Sequence, residues 1–228
     1  MRRLAGEYPT CTVFAVAQQD ACFLGATPER LAQAHHGTVS TMALAGSIAR
    51  GATPEEDRLL GERLRTSPKE RAEHAIVVRA LRVALAASPD VCSSVTAELE
   101  PCLAQLPNVQ HLLTPIHAQL APGKTLLDLV ARLHPSPAVA GFPRAAALEV
   151  IRQREGFDRG WYGGPLGWLS AAGDGEFVVA IRSGLLRGRE AWLYAGCGIV
   201  ADSDPAAEYA ESELKLRPMR SALGFSCT

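Results

Sequence analysis

The sequence predicts an α+β fold in which largely antiparallel sheets carry helices packed on their outside. Two pairs of apolar segments, 11–17 with 21–25 and 176–186 with 191–200, are each separated by a short polar turn, as in β-hairpins. Helical patterns occupy the chain between them. Because no linker-like Gly/Ser run and no internal repeat interrupts the 228 residues, we expect a single domain.

Two strand ends in the first part of the chain carry candidate functional positions. The first hairpin turns at 18–20, and Glu29 follows its second strand directly. A further strand is expected over 39–45, and it ends at Gly46 and Ser47. The two strand ends therefore carry the carboxylate of Glu29, the conformationally free backbone of Gly46 and the hydroxyl group of Ser47.

Two helices are predicted next, followed by a segment without a clear pattern. The helix over 54–65 is polar, whereas the helix over 68–87 has an apolar stripe that indicates a packing face. Residues 88–107 match neither a helical nor a strand period. We expect them to be the least ordered inner segment.

Residues 109–120 alternate as a strand does, and Pro115 within them favours an edge strand or a bulge. The elements that follow are, in order, a helix over 125–133, a stiff proline-rich loop over 134–143, a helix over 144–154, a Gly- and Trp-rich stretch over 160–164 and the second hairpin, which turns at 187–190.

The last helix carries two carboxylates and an ammonium group on one face. It begins at a Ser-Asp-Pro turn (203–205), in which the serine or the aspartate caps the helix and the proline lies in its first turn. Glu208, Glu211 and Lys215 then follow at the spacing i, i+3, i+7. Taken alone, this pattern is typical of a solvated helix face with a Glu211–Lys215 pair.

A second copy of the pattern changes that interpretation. A Ser-Pro helix start (67–68) precedes Glu70 and Glu73, which again lie three residues apart on one helical face. Two glutamate pairs on separate helices could together supply the oxygen ligands that Mg²⁺ prefers, with positions left open for a substrate. The sequence therefore suggests a magnesium site between the two helices.

Composition excludes several other classes of function. The net charge of −1 gives no electrostatic case for nucleic acid or an anionic membrane as a partner. No apolar run approaches the roughly 18 residues of a spanning helix, and no secretory signal follows the basic start, so we expect a cytoplasmic protein. The six scattered cysteines are expected to be reduced thiols, and the histidines show no spacing typical of zinc ligands.

Blocks along nearly the whole chain resemble the chorismate-utilising enzymes, and within them the isochorismate synthases. The blocks are FLGATPERL (23–31), ALAGS (43–47), SPKERAEH (67–74), VQHLLTP (109–115), LHPSPAVAGFP (133–143), RGWYGGPLGW (159–168), FVVAIRS (177–183), YAGCGIV (194–200) and AESELKL (210–216). Their number and order make the resemblance far more specific than any single motif. It implies the C-terminal part of the chorismate-utilising enzyme fold.

The resemblance assigns the carboxylates. Glu73 and Glu211 look like direct Mg²⁺ ligands, with Glu70 and Glu208 beside them through water. The metal would also bind the ring carboxylate of the substrate. Glu29 looks like the general acid that protonates the departing C4 hydroxyl, a task for which a raised pKa is expected.

The resemblance also assigns substrate-binding positions. Arg182 and Lys215, with backbone N–H groups near Gly196 and Gly198, look like the clamp on the enolpyruvyl carboxylate. The remaining positions are expected to line the substrate: Gly46, Ser47, His111, Ala138 and Tyr162.

Two of these lining positions have an alternative role, and a third distinguishes members of the family. His111 is either a polar group near the ring or a hydrogen-bonded core histidine, and Tyr162 either touches the enolpyruvyl group or simply packs. Ala138 is informative because salicylate-forming relatives carry Thr at the matching place, whereas isochorismate synthases carry Ala.

The implied function is Mg²⁺-dependent isomerisation of chorismate to isochorismate, for menaquinone or siderophore biosynthesis. The alternatives are another chorismate-utilising enzyme, of the salicylate or anthranilate synthase type, and a non-catalytic chain. Members of the resembled family are longer and carry a general-base lysine upstream of the first hairpin. None of Lys69, Lys124 and Lys215 is a convincing substitute. We therefore expect an N-terminally truncated domain with exposed strand edges, which a separate chain could complete.

Overall fold

The computed structural model describes residues 1–225, which form seven helices and eleven strands. The helices are α1 Arg2–Glu7, α2 Pro54–Thr66, α3 Pro68–Ala86, α4 Leu126–Leu133, α5 Pro137–Ala140, α6 Arg144–Arg154 and α7 Pro205–Leu223. The strands are β1 Thr12–Gln18, β2 Ala21–Thr27, β3 Arg30–His35, β4 Thr38–Ala49, β5 Cys92–Ala97, β6 Cys102–Gln105, β7 Val109–Leu120, β8 Pro165–Leu169, β9 Gly175–Val179, β10 Ser183–Arg187 and β11 Glu190–Tyr194.

The strands form two sheets in which every pairing is antiparallel. The smaller sheet has the order β1-β2-β10-β11, and the larger has the order β5-β7-β4-β3-β9-β8, with β6 pairing beside β5 along β7. Helices α3 and α4 pack on the larger sheet, and the main apolar core lies between them and β3, β4 and β7. The predicted α+β fold with antiparallel sheets is confirmed.

The chain crosses between the two sheets twice, at neighbouring points. Strand β2 belongs to the smaller sheet and β3 to the larger, so the chain crosses at residues 28–29. It crosses back at 180–182, between β9 and β10. The two crossings are tied together, because Val179 N donates to Glu29 O (3.0 Å) and Ala26 N donates to Arg182 O (3.2 Å).

The second crossing corrects the prediction of one strand over 176–186. Arg182 has a φ of 52°, a left-handed conformation that is uncommon for a residue with a Cβ atom. This turn ends β9 and redirects the chain into the other sheet. The prediction that the partner strand extends to 200 is also wrong, since β11 ends at Tyr194.

Strand β4 does not end at residue 45 as predicted but continues to Ala49 through a bulge. The register with β7 shifts between Ala45 and Ser47, and Gly46 in between has a φ of 76°. A Cβ atom at Gly46 would lie 3.2 Å from the Glu70 carbonyl oxygen. The bulge therefore brings the backbone of β4 against the start of α3.

Two expectations for the middle of the chain are wrong. Residues 88–107 contain β5 and β6, which both pair with β7. Strand β7 is therefore an inner strand rather than an edge, with β4 on its other side. Pro115 lies opposite the gap between β5 and β6, where its carbonyl accepts a hydrogen bond from Glu98 N (3.4 Å). The N–H group that a proline lacks would face the same gap, and the proline is therefore tolerated in this strand.

The proline-started helices form as predicted. Ser67 Oγ accepts from Glu70 N at the start of α3, and Asp204, the capping residue of α7, accepts from Ala207 N (2.9 Å). No pattern predicted α1, β3, α5 or β8. No helix within residues 1–225 has the length and apolarity needed to cross a bilayer. Five of the cysteines are free thiols, as predicted, and Cys227 lies outside the described residues.

Candidate active site

A cavity of about 150 Å³ lies beside the two sheet crossings. The crossings, the bulge of β4, and helices α3, α5 and α7 all contribute to its wall. Ten of the predicted site residues line it: Glu29, Ser47, Glu73, His111, Ala138, Tyr162, Arg182, Gly196, Gly198 and Lys215. The structure therefore brings together residues that are up to 186 positions apart in the sequence.

Glu29 lies in the first crossing, and its carboxyl group is almost fully buried, with 6% of the residue exposed. Its backbone is held by Thr27 Oγ1, which accepts from Glu29 N (3.2 Å), and Ser136 Oγ donates to Glu29 Oε1 (3.5 Å). Burial raises the pKa of Glu29 to about 7, although Arg182 and the Ser136 hydrogen bond oppose the rise. Glu29 can therefore hold or release a proton near neutral pH.

Arg182 lies in the second crossing and is buried without a carboxylate partner among residues 1–225. Its Nη2 atom donates to His111 Nε2 (3.0 Å), which is its hydrogen-bond partner in the described part of the chain. Burial lowers the pKa of Arg182, but a guanidinium remains charged at any ordinary pH. A buried cation without a counterion is costly, so this position favours an anionic ligand.

His111 is held as a neutral ring by its surroundings. Because a guanidinium can only donate, His111 Nε2 must accept from Arg182, and the ring proton is then on Nδ1. Nδ1 lies 2.9 Å from Ser47 Oγ and 3.2 Å from Gly46 O. Burial, Arg182 and Lys215 hold the pKa of His111 well below its usual value. His111 is therefore a buried, hydrogen-bonded histidine that also lines the cavity.

Glu73 contributes a carboxylate to the cavity, pressed against Gly198. A Cβ atom at Gly198 would lie 2.2 Å from Glu73 Oε1, so only glycine allows this approach. Burial raises the pKa of Glu73 to about 7; Lys215 opposes the rise, and Glu211 and Glu70 add to it. This carboxyl group would lose its proton more readily if a further positive charge came close.

The other three predicted metal ligands are engaged by lysines or backbone. Lys69 Nζ lies 3.1 Å from Glu70 Oε1 and 2.6 Å from Glu208 Oε1. Lys215 Nζ lies 2.5 Å from Glu211 Oε1 and donates to Gly196 O (3.2 Å). Glu70 Oε2 accepts from Ser47 N (2.9 Å), which joins the cluster to the β4 bulge.

Four carboxylates and two ammonium groups leave two excess negative charges when Glu73 is ionised, and one when it is protonated. All four side chains offer the hard oxygen ligands that suit Mg²⁺, so the donor set fits this ion. The carboxylates do not, however, converge on one point. Among residues 1–225, the three side chains whose ligand atoms lie within 4.8 Å of one another are instead His35, His36 and Asp174.

Tyr162 lines the cavity and also packs. Its ring stacks on Tyr194 with centroids 5.4 Å apart, and the Arg159 guanidinium lies 5.9 Å from the ring centroid. Burial raises the pKa of Tyr162 to about 12, so its hydroxyl group is neutral. Ala138, in α5, is partly buried and presents a methyl group to the same cavity.

Several contributors to the site were not predicted, and Ser136 and Arg159 are two of them. Ser136 donates to Glu29, and Arg159 lines the cavity while donating to Val139 O (2.6 Å) and pairing with Glu155 (2.5 Å). Both lie within sequence blocks that carry the resemblance, 133–143 and 159–168. Those blocks were therefore the sequence signal from which the two residues could have been predicted.

Comparison with known proteins identifies the family. The family model described as "Chorismate binding enzyme" matches residues 1–224. The chain belongs to the chorismate binding enzymes. Among relatives, a salicylate biosynthesis isochorismate synthase of Pseudomonas aeruginosa is 51% identical over 95% of this chain and 45% of its own length. Isochorismate synthase MenF of Bacillus subtilis is 46% identical over 98% of this chain and 47% of its own length.

A solved structure supports the same assignment. The crystal structure of DhbC from Bacillus anthracis superimposes with a TM-score of 0.93 at 37% identity, covering 99% of this chain and 61% of that one. The chain spans about half the length of the curated relatives it matches.

Proposed function

We propose that this chain is the substrate-binding and acid-bearing part of an isochorismate synthase, an isomerase that converts chorismate to isochorismate. The observation that carries the proposal is the pairing of two buried groups in one cavity: Glu29, with a pKa of about 7, and Arg182, without a carboxylate partner among residues 1–225. The first suits a proton donor at neutral pH, and the second suits a substrate carboxylate.

In this proposal Arg182 binds the enolpyruvyl carboxylate and His111 fixes its orientation. The neutral ring accepts one N–H of the guanidinium, which leaves other N–H groups free to donate to a ligand. Lys215 lines the same cavity and adds a second positive charge. Ala138 leaves room beside the pyruvyl group without adding a hydroxyl, which favours isochorismate over salicylate as product.

Glu73 and Glu211, supported by Glu70 and Glu208, would hold Mg²⁺ next to this cavity. When bound, the ion would neutralise and orient the ring carboxylate of chorismate. The lysines that separate the carboxylates stabilise the cluster without the ion. Glu73 would give up its proton on binding, so we expect metal affinity to increase as the pH rises through about 7.

Glu29 would protonate the C4 oxygen as that hydroxyl group leaves, and would itself become ionised. The reaction also needs a base that takes a proton from the water adding at C2. Lys69 does not suit this role: burial would lower its pKa, but its hydrogen bonds to Glu208 and Glu70 outweigh that effect, and the pKa is raised. Lys124 lies in the turn before α4, and Lys215 pairs with Glu211. We therefore assign the base to polypeptide outside these 228 residues.

Exposed aromatic residues on the surface favour contact with an additional polypeptide. All three tryptophans, Trp161, Trp168 and Trp192, are between 43% and 59% exposed. Trp168 lies in β8 and Trp192 in β11, and each of these strands forms the edge of its sheet. Exposed aromatic side chains on open strand edges are typical of a surface that another segment covers. That segment would belong to a longer form of this chain or to a separate chain.

The test is a chromatographic assay of the 228-residue chain with chorismate and Mg²⁺, measuring isochorismate, salicylate and pyruvate together. We expect no turnover, and isochorismate alone once the missing polypeptide is supplied. Salicylate with pyruvate would overturn the proposed product. Isochorismate formation by the 228 residues alone, at the rate of a complete enzyme, would overturn the assignment of the base. The product would serve menaquinone or siderophore biosynthesis.

A further inference from the structure

A second cluster of candidate ligands lies at two turns of the larger sheet, outside the cavity described above. One ring nitrogen of His35, one of His36 and one carboxylate oxygen of Asp174 all lie within 4.8 Å of one another. His35 is the last residue of β3, His36 lies in the turn between β3 and β4, and Asp174 directly precedes β9. Neither histidine spacing nor composition suggested this site, because Asp174 is 138 residues from His36 in the sequence.

The turn that carries the histidines has a fixed geometry. Strands β3 and β4 pair up to His35 and Thr38, which leaves a two-residue turn of His36 and Gly37. Both turn residues have positive φ, 49° and 77°, as in the tight hairpin turn that matches the twist of a sheet. The two imidazole rings therefore lie side by side, with centroids 4.1 Å apart.

The third candidate ligand is held in place by its own contacts. Asp174 Oδ1 accepts from His36 N (2.8 Å), and the Asp174 carbonyl accepts from Ser170 N (2.8 Å) within the β8–β9 turn. The pairing of Ala34 with Gly175 joins the two turns through the sheet. One carboxylate oxygen is thus fixed by the backbone, which leaves the other, Oδ2, directed towards the histidines.

The distance between two of the three candidate ligand atoms suits a small transition-metal ion. His35 Nδ1 lies 3.3 Å from Asp174 Oδ2, long for a hydrogen bond between these groups. Ligand atoms about 2.0–2.1 Å from a tetrahedral Zn²⁺ are about 3.3 Å apart, the edge of the tetrahedron. A set of two imidazoles and a carboxylate also binds Zn²⁺, Ni²⁺ or Cu²⁺ more tightly than it binds Mg²⁺.

We propose that His35, His36 and Asp174 form a binding site for a transition-metal ion of the Zn²⁺ type, separate from the carboxylate cluster of the cavity. Water would complete the coordination, since His35 and His36 are exposed. The ion would cross-link the β3–β4 and β8–β9 turns. Strand β3 begins directly after Glu29, and β9 ends at Val179, whose N–H donates to the Glu29 carbonyl. The strand pair that carries the proposed metal site therefore also supports the first sheet crossing.

The test is a calorimetric titration of Zn²⁺ into the untagged chain, with Co²⁺ absorption as a probe of tetrahedral geometry. The variants are His35→Ala, His36→Ala and Asp174→Asn, the last of which keeps an oxygen that can accept from His36 N. His117→Ala is the matched control, because His117 is an exposed histidine on β7 of the same sheet. Cys102 is exposed and is replaced by serine in every protein, so that a thiolate does not contribute.

With excess Mg²⁺ present throughout to occupy the carboxylate cluster, we expect one Zn²⁺ per chain, at least a tenfold loss of affinity in each of the three variants, and no change in His117→Ala. Zn²⁺ should raise the melting temperature of the parent and the control but not of the variants, whose metal-free melting temperatures should match the parent. Excess Mg²⁺ should not compete. Unchanged affinity in His35→Ala and His36→Ala, or displacement of Zn²⁺ by Mg²⁺, would overturn the proposal.

Discussion

Replacing Gly198 by alanine tests the position of the Glu73 carboxylate. A Cβ atom at Gly198 would lie 2.2 Å from Glu73 Oε1 and 2.6 Å from its Cδ, whereas real Cβ contacts are not shorter than 3.0 Å. The carboxylate is the end of a flexible side chain, so it can rotate away at a cost below about 1 kcal/mol of folding stability. Its displacement from the cavity would then be close to 1 Å.

The expected consequence is a loss of metal-dependent binding without a loss of fold. A misplacement of about 1 Å in a positioned group can cost on the order of 100-fold. We expect Gly198→Ala to weaken Mg²⁺-dependent chorismate binding between about tenfold and 100-fold, while the melting temperature stays within about 3 °C. Calorimetric titration of chorismate with and without Mg²⁺ measures the first quantity, and a thermal melt measures the second.

Gly6→Ala is the matched control, because it adds the same methyl group in α1, away from the cavity. A Cβ atom at Gly6 would meet no atom within 4 Å beyond its own helix and chain neighbours. This variant should bind chorismate like the parent chain. If both alanine variants bound chorismate equally well with Mg²⁺ present, Glu73 would not be a metal ligand in the position described.

Three further predictions concern the sheet crossings and the bulge. Because burial raises the pKa of Glu29 to about 7, ionisation of this carboxyl group opposes folding. The destabilisation is absent below pH 4.5, the pKa of Glu29 in the unfolded chain, and it grows to on the order of 3 kcal/mol as the pH rises to about 7. Glu29→Gln should therefore be more stable than the parent at pH 8 and similar at pH 4.5, as measured by denaturant unfolding; the opposite pH trend would refute a buried, largely protonated carboxyl group. Arg182→Lys should weaken chorismate binding by about tenfold or more, because an ammonium loses the planar fork, and an unchanged affinity in a titration would remove Arg182 from the binding site. Gly46→Ala should cost about 1–2 kcal/mol in unfolding free energy, since it places a Cβ atom at a φ of 76° and 3.2 Å from the Glu70 carbonyl, and an unchanged midpoint would contradict the bulge.

Local patterns were sufficient for the first hairpin and the proline-started helices. The turn at 18–20 and the caps at Ser67 and Asp204 depend on residues next to one another, so their chemistry is visible in the sequence. The sheet crossings were not visible. Residues 176–186 read as one apolar strand, and only the left-handed backbone of Arg182, fixed by contacts with β2, separates them into two sheets.

The same distinction applies to the site. The two glutamate pairs follow from helical spacing, and Glu73 of these four residues lines the cavity. The pairing of His111 with Arg182, 71 residues away, and of Lys69 with Glu208 depends on tertiary packing. Sequence spacing therefore predicted the Glu211–Lys215 pair, but not that Lys69 lies between Glu70 and Glu208.

The most direct test of the central claim is an equilibrium titration of chorismate into the 228-residue chain, with and without Mg²⁺. We expect saturable binding that Mg²⁺ strengthens and that Arg182→Lys weakens, with the chorismate recovered unchanged. Absence of binding in a folded chain, or binding that neither Mg²⁺ nor the Arg182 substitution alters, would contradict the proposed function.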